Sequence, residues 1–204
     1  MNLQRYKVVL LGVTAILALL VGSPALQRFL VLPRTDFFTE MWLLDEEHRA
    51  ENYPFNVSIN ERYTGFLGIG NNLGDCAYYL IQLKFRNQTQ PAADSLNHTS
   101  SSLSSLYNFT VFVADKEVWE MPFSFAFDYA HDNYNQSLLE VRFDELKFND
   151  LGLNIKGYTS VWDPQARVFY GNLFFELWIY NDNVGVFQYH DRYVGLEFNM
   201  TSRS

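Results

Sequence analysis

Nineteen uncharged residues in a row, VVLLGVTAILALLVGSPAL at positions 8–26, constrain this chain more than any other stretch. A helix needs ~20 apolar residues to cross a hydrocarbon core ~30 Å thick. The run is apolar on every face, so as a surface helix it would have no side to offer water. Arg28 can snorkel its guanidinium to the interface, which lets residues 29–32 extend the span to 8–32. The competing reading is a cleaved secretory signal, with Arg5 and Lys7 as its basic start and Val21, Gly22 and Ser23 before the cut. Pro24 would then be the first mature residue, where a peptidase is usually blocked. The expectation is therefore an uncleaved transmembrane signal-anchor over 8–32 held in membrane lipid, after a short cytoplasmic N-terminus, 1–7.

Flanking charge does not orient the segment, because Arg5 and Lys7 precede it and Arg28 and Arg34 follow it. Six Asn-x-Ser/Thr triplets do. They begin at Asn56, Asn87, Asn97, Asn108, Asn135 and Asn199, and all follow the apolar run. Composition alone predicts about two such triplets in a chain this rich in Asn and Ser. N-linked glycans are added outside the cytoplasm and need solvent-facing asparagines. The pattern predicts a single-pass protein of the cell membrane, with residues 36–204 as a glycosylated extracytoplasmic domain.

The charge balance narrows the partners. Residues 1–35 carry four of the 15 Lys+Arg and none of the 23 Asp+Glu. The rest therefore has 11 basic against 23 acidic residues, a net charge of −12. An acidic domain repels phosphate backbones, which argues against nucleic acid. Cys76 is the one cysteine, so no intrachain disulfide can form. It reads as a small core residue at the start of a strand.

Beyond residue 35 the hydrophobic period is two. Tyr79, Ile81, Leu83 and Phe85 alternate with Gln82, Lys84 and Arg86, which is the pattern of a half-buried strand. Val141 and Phe143 are out of phase with Leu146 and Phe148, which predicts a bulge at Asp144-Glu145. Gly65, Gly68 and Gly70 weaken their strand and predict a bulge or a closely approaching neighbour. Residues 171–180 are apolar on both faces, as in a central strand or one covered by a partner. The Ser-rich stretch 87–106 reads as a long exposed, mobile loop. Nine to eleven short strands, with turn signals every ~8–12 residues and no helical period after the apolar run, predict an all-β fold. Its form is an Ig-like antiparallel β-sandwich.

Three stretches carry a resemblance: FTEMWLLDEEHRAENYPFNVS at 38–58, GIGNNLGDCAYYLIQL at 68–83 and KEVWEMPF at 116–123. Over residues 36–125 the chain resembles the archaeal predicted membrane proteins grouped as domain of unknown function family 1616. The resemblance implies an archaeal, extracytoplasmic, Ig-like domain. It implies no reaction, and it carries over no catalytic residue.

Nothing in the residue spacing forms a catalytic, cofactor or metal motif. His131-Asp132 and His190-Asp191 are the adjacent His–carboxylate pairs, and neighbours in a strand point to opposite faces. The histidines lack zinc spacing, and Asp132-Asn133 and 181–183 read better as turns than as a calcium loop. Trp162, Phe174, Trp178 and Tyr180 are the candidate interface residues. Trp162, beside Asp163-Pro164, suits a partner or a sugar ring, and the others lie on the strand with two apolar faces. The expected function is non-enzymatic: protein–protein contact with other membrane or cell-surface proteins, as an envelope component or an accessory subunit of a membrane assembly. A pilin-like filament subunit and a surface hydrolase are the alternatives. The first would need cleavage just before Val8, and the second a convergent acid/base pocket.

Overall fold

The computed structural model describes residues 6–7, 9–18, 37–132 and 139–201. The chain divides into two compact units, Met1–Asp36 and Phe37–Ser204. In the first, residues 6–7 and 9–18 are helical, and every described side chain is exposed, Leu10, Leu11, Ile16 and Leu17 included. Among the described residues no helix is long and apolar enough to cross a membrane. Most of the expected span, position 8 and 19–32, lies outside them, as does the sequon at Asn135.

The second unit is all-β. Its eleven described strands are β1 (Phe38–Leu44), β2 (Asn56–Ser58), β3 (Tyr63–Asn72), β4 (Ala77–Arg86), β5 (Tyr107–Val113), β6 (Val118–Asp132), β7 (Glu140–Phe148), β8 (Leu151–Asn154), β9 (Thr159–Asp163), β10 (Val168–Asn181) and β11 (Val186–Thr201). One layer runs β1-β3-β6-β7, with β8 and β9 both on β7. The other runs β5-β4-β10-β11-β2. A two-residue pairing of β9 with β10 makes the layers one continuous sheet folded over on itself. One pair departs from an all-antiparallel sandwich: β2 runs parallel to the end of β11. The Tyr129 hydroxyl fixes that pair, lying 2.7 Å from Val57 O and 2.6 Å from Thr201 O.

The core between the layers is aromatic. Phe85 of β4 meets Phe127 and Phe143 at 5.1 and 4.9 Å, Phe123 meets Phe175 at 5.3 Å, and Phe125 meets Phe198 at 5.2 Å. Each such side chain contributes ~1.5–3 kcal/mol on burial. At one end a buried polar network ties the layers together. Thr39 Oγ1 lies 2.9 Å from the Tyr79 hydroxyl, which donates to Asn71 Oδ1, while His190 Nε2 lies 2.7 Å from Thr39 Oγ1.

The phase slip in β7 is a bulge. Asp128 pairs with Glu145 and Tyr129 with Phe143, leaving Asp144 without a partner in the ladder. A second bulge holds His190 and Asp191, because Leu177 pairs with Arg192 and Trp178 with Tyr189. Asp191 adopts the left-handed conformation there (φ 53°). The glycines of β3 have an approaching neighbour. The Trp42 indole lies across Gly68, opposite it in register, where a Cβ would collide with the ring.

Candidate interaction surface

The outer face of the β5-β4-β10-β11 layer carries the features that set this sheet apart, in three zones. Alternation along β10 sends Leu173, Phe175 and Leu177 inward and Asn172, Phe174, Glu176, Trp178 and Tyr180 outward.

The first zone is polar. Arg86 donates to Asn172 Oδ1 at 3.2 Å, to the Tyr170 hydroxyl at 3.0 Å and to Gln90 O at 3.1 Å. Tyr170 in turn donates to Glu197 at 2.8 Å. Burial and that carboxylate push the Tyr170 phenol up to about 12.

The middle zone is sealed. Lys84 Nζ lies 2.7 Å from Glu176 Oε2, with side-chain exposures of 4% and 0%. Both groups are covered by residues 87–106. The Ser101 N–H donates to Glu176 Oε1 at 2.7 Å, and Lys84 donates to Ser101 O at 2.9 Å. His98 Nδ1, from the same stretch, lies 2.6 Å from Asp191 Oδ2. This corrects one expectation: the Ser-rich stretch is a strap fastened onto the sheet, not a free loop. Strand β10 is central, as one of the two readings of its apolar faces had it, between β4 and β11, and its outer face is covered by the chain itself. Phe174, proposed as an interface residue, is 1% exposed and cannot reach a partner.

The third zone is open. Phe112, Tyr78, Tyr180 and Phe187 form one row across β5, β4, β10 and β11. Phe112 and Tyr78 are directly opposed and stacked, with centroids 4.1 Å apart and planes at 10°. Tyr180 and Phe187 are opposed at 5.3 Å, and Tyr78 lies 5.2 Å from Phe187. Phe112 is 68% exposed and Tyr180 36%. A cleft of about 370 Å³ opens beside the row, with Asp75, Cys76 and Asp182 at its margin. Cys76 is exposed, contrary to the core position expected for it. Trp178, next to the row, is half-buried against Tyr189, and its Nε1 is buried without a hydrogen-bond partner. Trp162 lies elsewhere, half-buried against Phe169 at 5.0 Å. Tyr78, Phe112 and Phe187 were not singled out from sequence, although each is an aromatic out of phase with the buried set of its strand.

The sequon asparagines differ in freedom. Asn108 is exposed on the outer face of β5. Asn97 is exposed, with Nδ2 on Asp94 at 2.6 Å. Asn87 is half-buried and donates to Thr159 O at 2.6 Å. Asn199 donates to Asn56 Oδ1 at 3.0 Å, so two sequons meet side by side. Among the described residues no group of three His, Cys, Asp or Glu could hold a metal ion.

A family model described as domain of unknown function (DUF1616) matches residues 33–139, just over half of the chain. No curated protein matches the sequence. Among solved structures, the chain is similar to the CARDB domain of a Pyrococcus furiosus protein in complex with di-metal ions. Identity is 9% and TM-score 0.36, covering 84% of this chain and 97% of that one. It is also similar to the complex of Zinc 2-glycoprotein and prolactin inducible protein from human seminal plasma, at 8% identity, TM-score 0.37 and 83% and 99% coverage.

Proposed function

The chain belongs to the family described as domain of unknown function (DUF1616), and from that premise we propose that it is a membrane-anchored, N-glycosylated ectodomain acting through protein–protein contact. Residues 8–32 hold it in the bilayer, and the sandwich stands on the extracytoplasmic side. One observation carries the contact reading: the row Phe112-Tyr78-Tyr180-Phe187 lies uncovered on the same face where the strap seals the middle zone. Contiguous exposed aromatics rimmed by polar groups mark interaction sites, and aromatic rings are enriched in interface cores. The anchor reading draws on the exposed apolar helix at 9–18 and on the uncharged sequence that continues it.

The test is extraction of the full chain from its own membranes in mild detergent, wild type beside Y180S/F187S. Wild type in a complex that the double variant leaves supports the reading. Wild type recovered as a lone monomer counts against it.

A further inference from the structure

The strand at the rim of the aromatic row has an edge that is open up to Phe112; at its end Val113 O accepts from Asn71 Nδ2 at 2.8 Å. Among the described residues β5 pairs with β4 alone. An unpaired edge is a template for another strand, and proteins usually blunt it with charge, proline, a bulge or shortness. The other edges here are blunted: β2 and β8 have three and four residues, and Arg192 donates to Thr39 O of β1 at 3.2 Å. In contrast, β5 is seven residues long, YNFTVFV, without charge or proline, and its register with β4 is uninterrupted. Its inner side chains Tyr107, Phe109 and Val111 are only half-buried, and Phe109 meets the half-buried Trp119 at 5.9 Å.

We propose that the free edge of β5 pairs antiparallel with β5 of a second copy of this chain, across a two-fold axis at Thr110. This goes beyond the contact reading above: it uses a different surface, the strand edge, and leaves the aromatic row open to another partner. The strand is self-complementary in that register. Thr110 faces Thr110 and Phe109 faces Val111, which are favourable cross-strand combinations of hydroxyl with hydroxyl and aromatic with β-branched. Charge selects the same place. Two domains of net charge −12 repel each other, yet residues 95–114 contain no Asp, Glu, Lys or Arg. An isologous contact there needs no complementary partner surface. It joins the two layers into one sheet, with both aromatic rows on one face. The register sets Asn108 beside Phe112 of the second copy, so sugar on Asn108 opposes the pairing.

The test uses the full chain in mild detergent, as wild type and as N108Q. Light scattering should report two chains per particle in at least one of these forms, and T110K, which sets two ammonium groups face to face, should reduce it to one. In a C76S background, T110C should oxidise to a disulfide-linked dimer, because paired Cβ atoms lie about 4.5–5.5 Å apart, while T64C on the opposite layer should not. Single chains in both wild type and N108Q, with no T110C dimer, overturn the proposal. If those same preparations hold a different chain that Y180S/F187S releases, the second copy falls and the contact reading stands.

Discussion

Lys84 Nζ and Glu176 Oε2 lie 2.7 Å apart on the outer face of a sheet, yet neither side chain reaches solvent. They are diagonal neighbours, since Lys84 is opposite Phe174 and Glu176 opposite Gln82. The lid is Ser101, whose N–H and C=O engage the acid and the base respectively. Removing one member of a buried pair leaves an uncompensated charge. K84M and E176Q should each destabilise the domain by about 3–5 kcal/mol and expose 87–106 to proteolysis. K84M/E176L should recover most of the stability, because neither charge is then stranded. Urea unfolding with limited proteolysis checks this; single variants of wild-type stability would show that the strap does not depend on the pair.

The packing of Trp42 over Gly68 leaves no room for a methyl group. G68A should cost about 1–3 kcal/mol by overpacking and alter the tryptophan emission of the folded state. An unchanged unfolding midpoint would mean that the indole is held elsewhere.

Burial, with Arg192 second, lowers the His190 pKa from its ordinary value near 6.5. The folded state therefore takes up the proton less readily than the unfolded chain does. Its stability contribution is complete above about pH 6.5 and is lost as pH falls toward the lower folded value. H190Q keeps a group that can hydrogen-bond Thr39 and should flatten thermal stability between about pH 7 and 5. An identical slope in the variant would place that titration elsewhere.

Glycan attachment needs a free Asn Nδ2. In unpaired chains Asn108 should carry the highest occupancy, since sugar there opposes the β5 pairing, and Asn87, whose Nδ2 is held on Thr159 O, the lowest. Glycopeptide mapping of protein from its own cells reads this order directly. The reverse order would show that modification precedes the folding of β9 against the strap.

Local features of the fold were legible in sequence, and long-range ones were not. The alternation Tyr79-Ile81-Leu83-Phe85 and the slip at Asp144 are written in neighbouring residues, because side-chain period and strand register are local properties. The approach to Gly68 was legible, but not its source, since Trp42 comes from a different strand. The parallel pairing of Asn56 with Asn199 joins positions 143 apart and has no local mark. The strap has no mark in the sequence, because its key contacts are the backbone groups of Ser101, which no side-chain pattern encodes. The burial of Phe174 follows from the same fact. The aromatic row needed the registers of four strands before Phe112, Tyr78, Tyr180 and Phe187 could be seen as neighbours.

Topology is the claim on which the functional proposal depends. Intact cells that make the full chain should be treated with a non-permeant protease, and their membranes then washed with alkaline carbonate. The account predicts that the sandwich is cut from outside, while a short fragment containing 8–32 stays in the washed membrane pellet. A chain that resists external protease, or that carbonate releases intact into the supernatant, would contradict it.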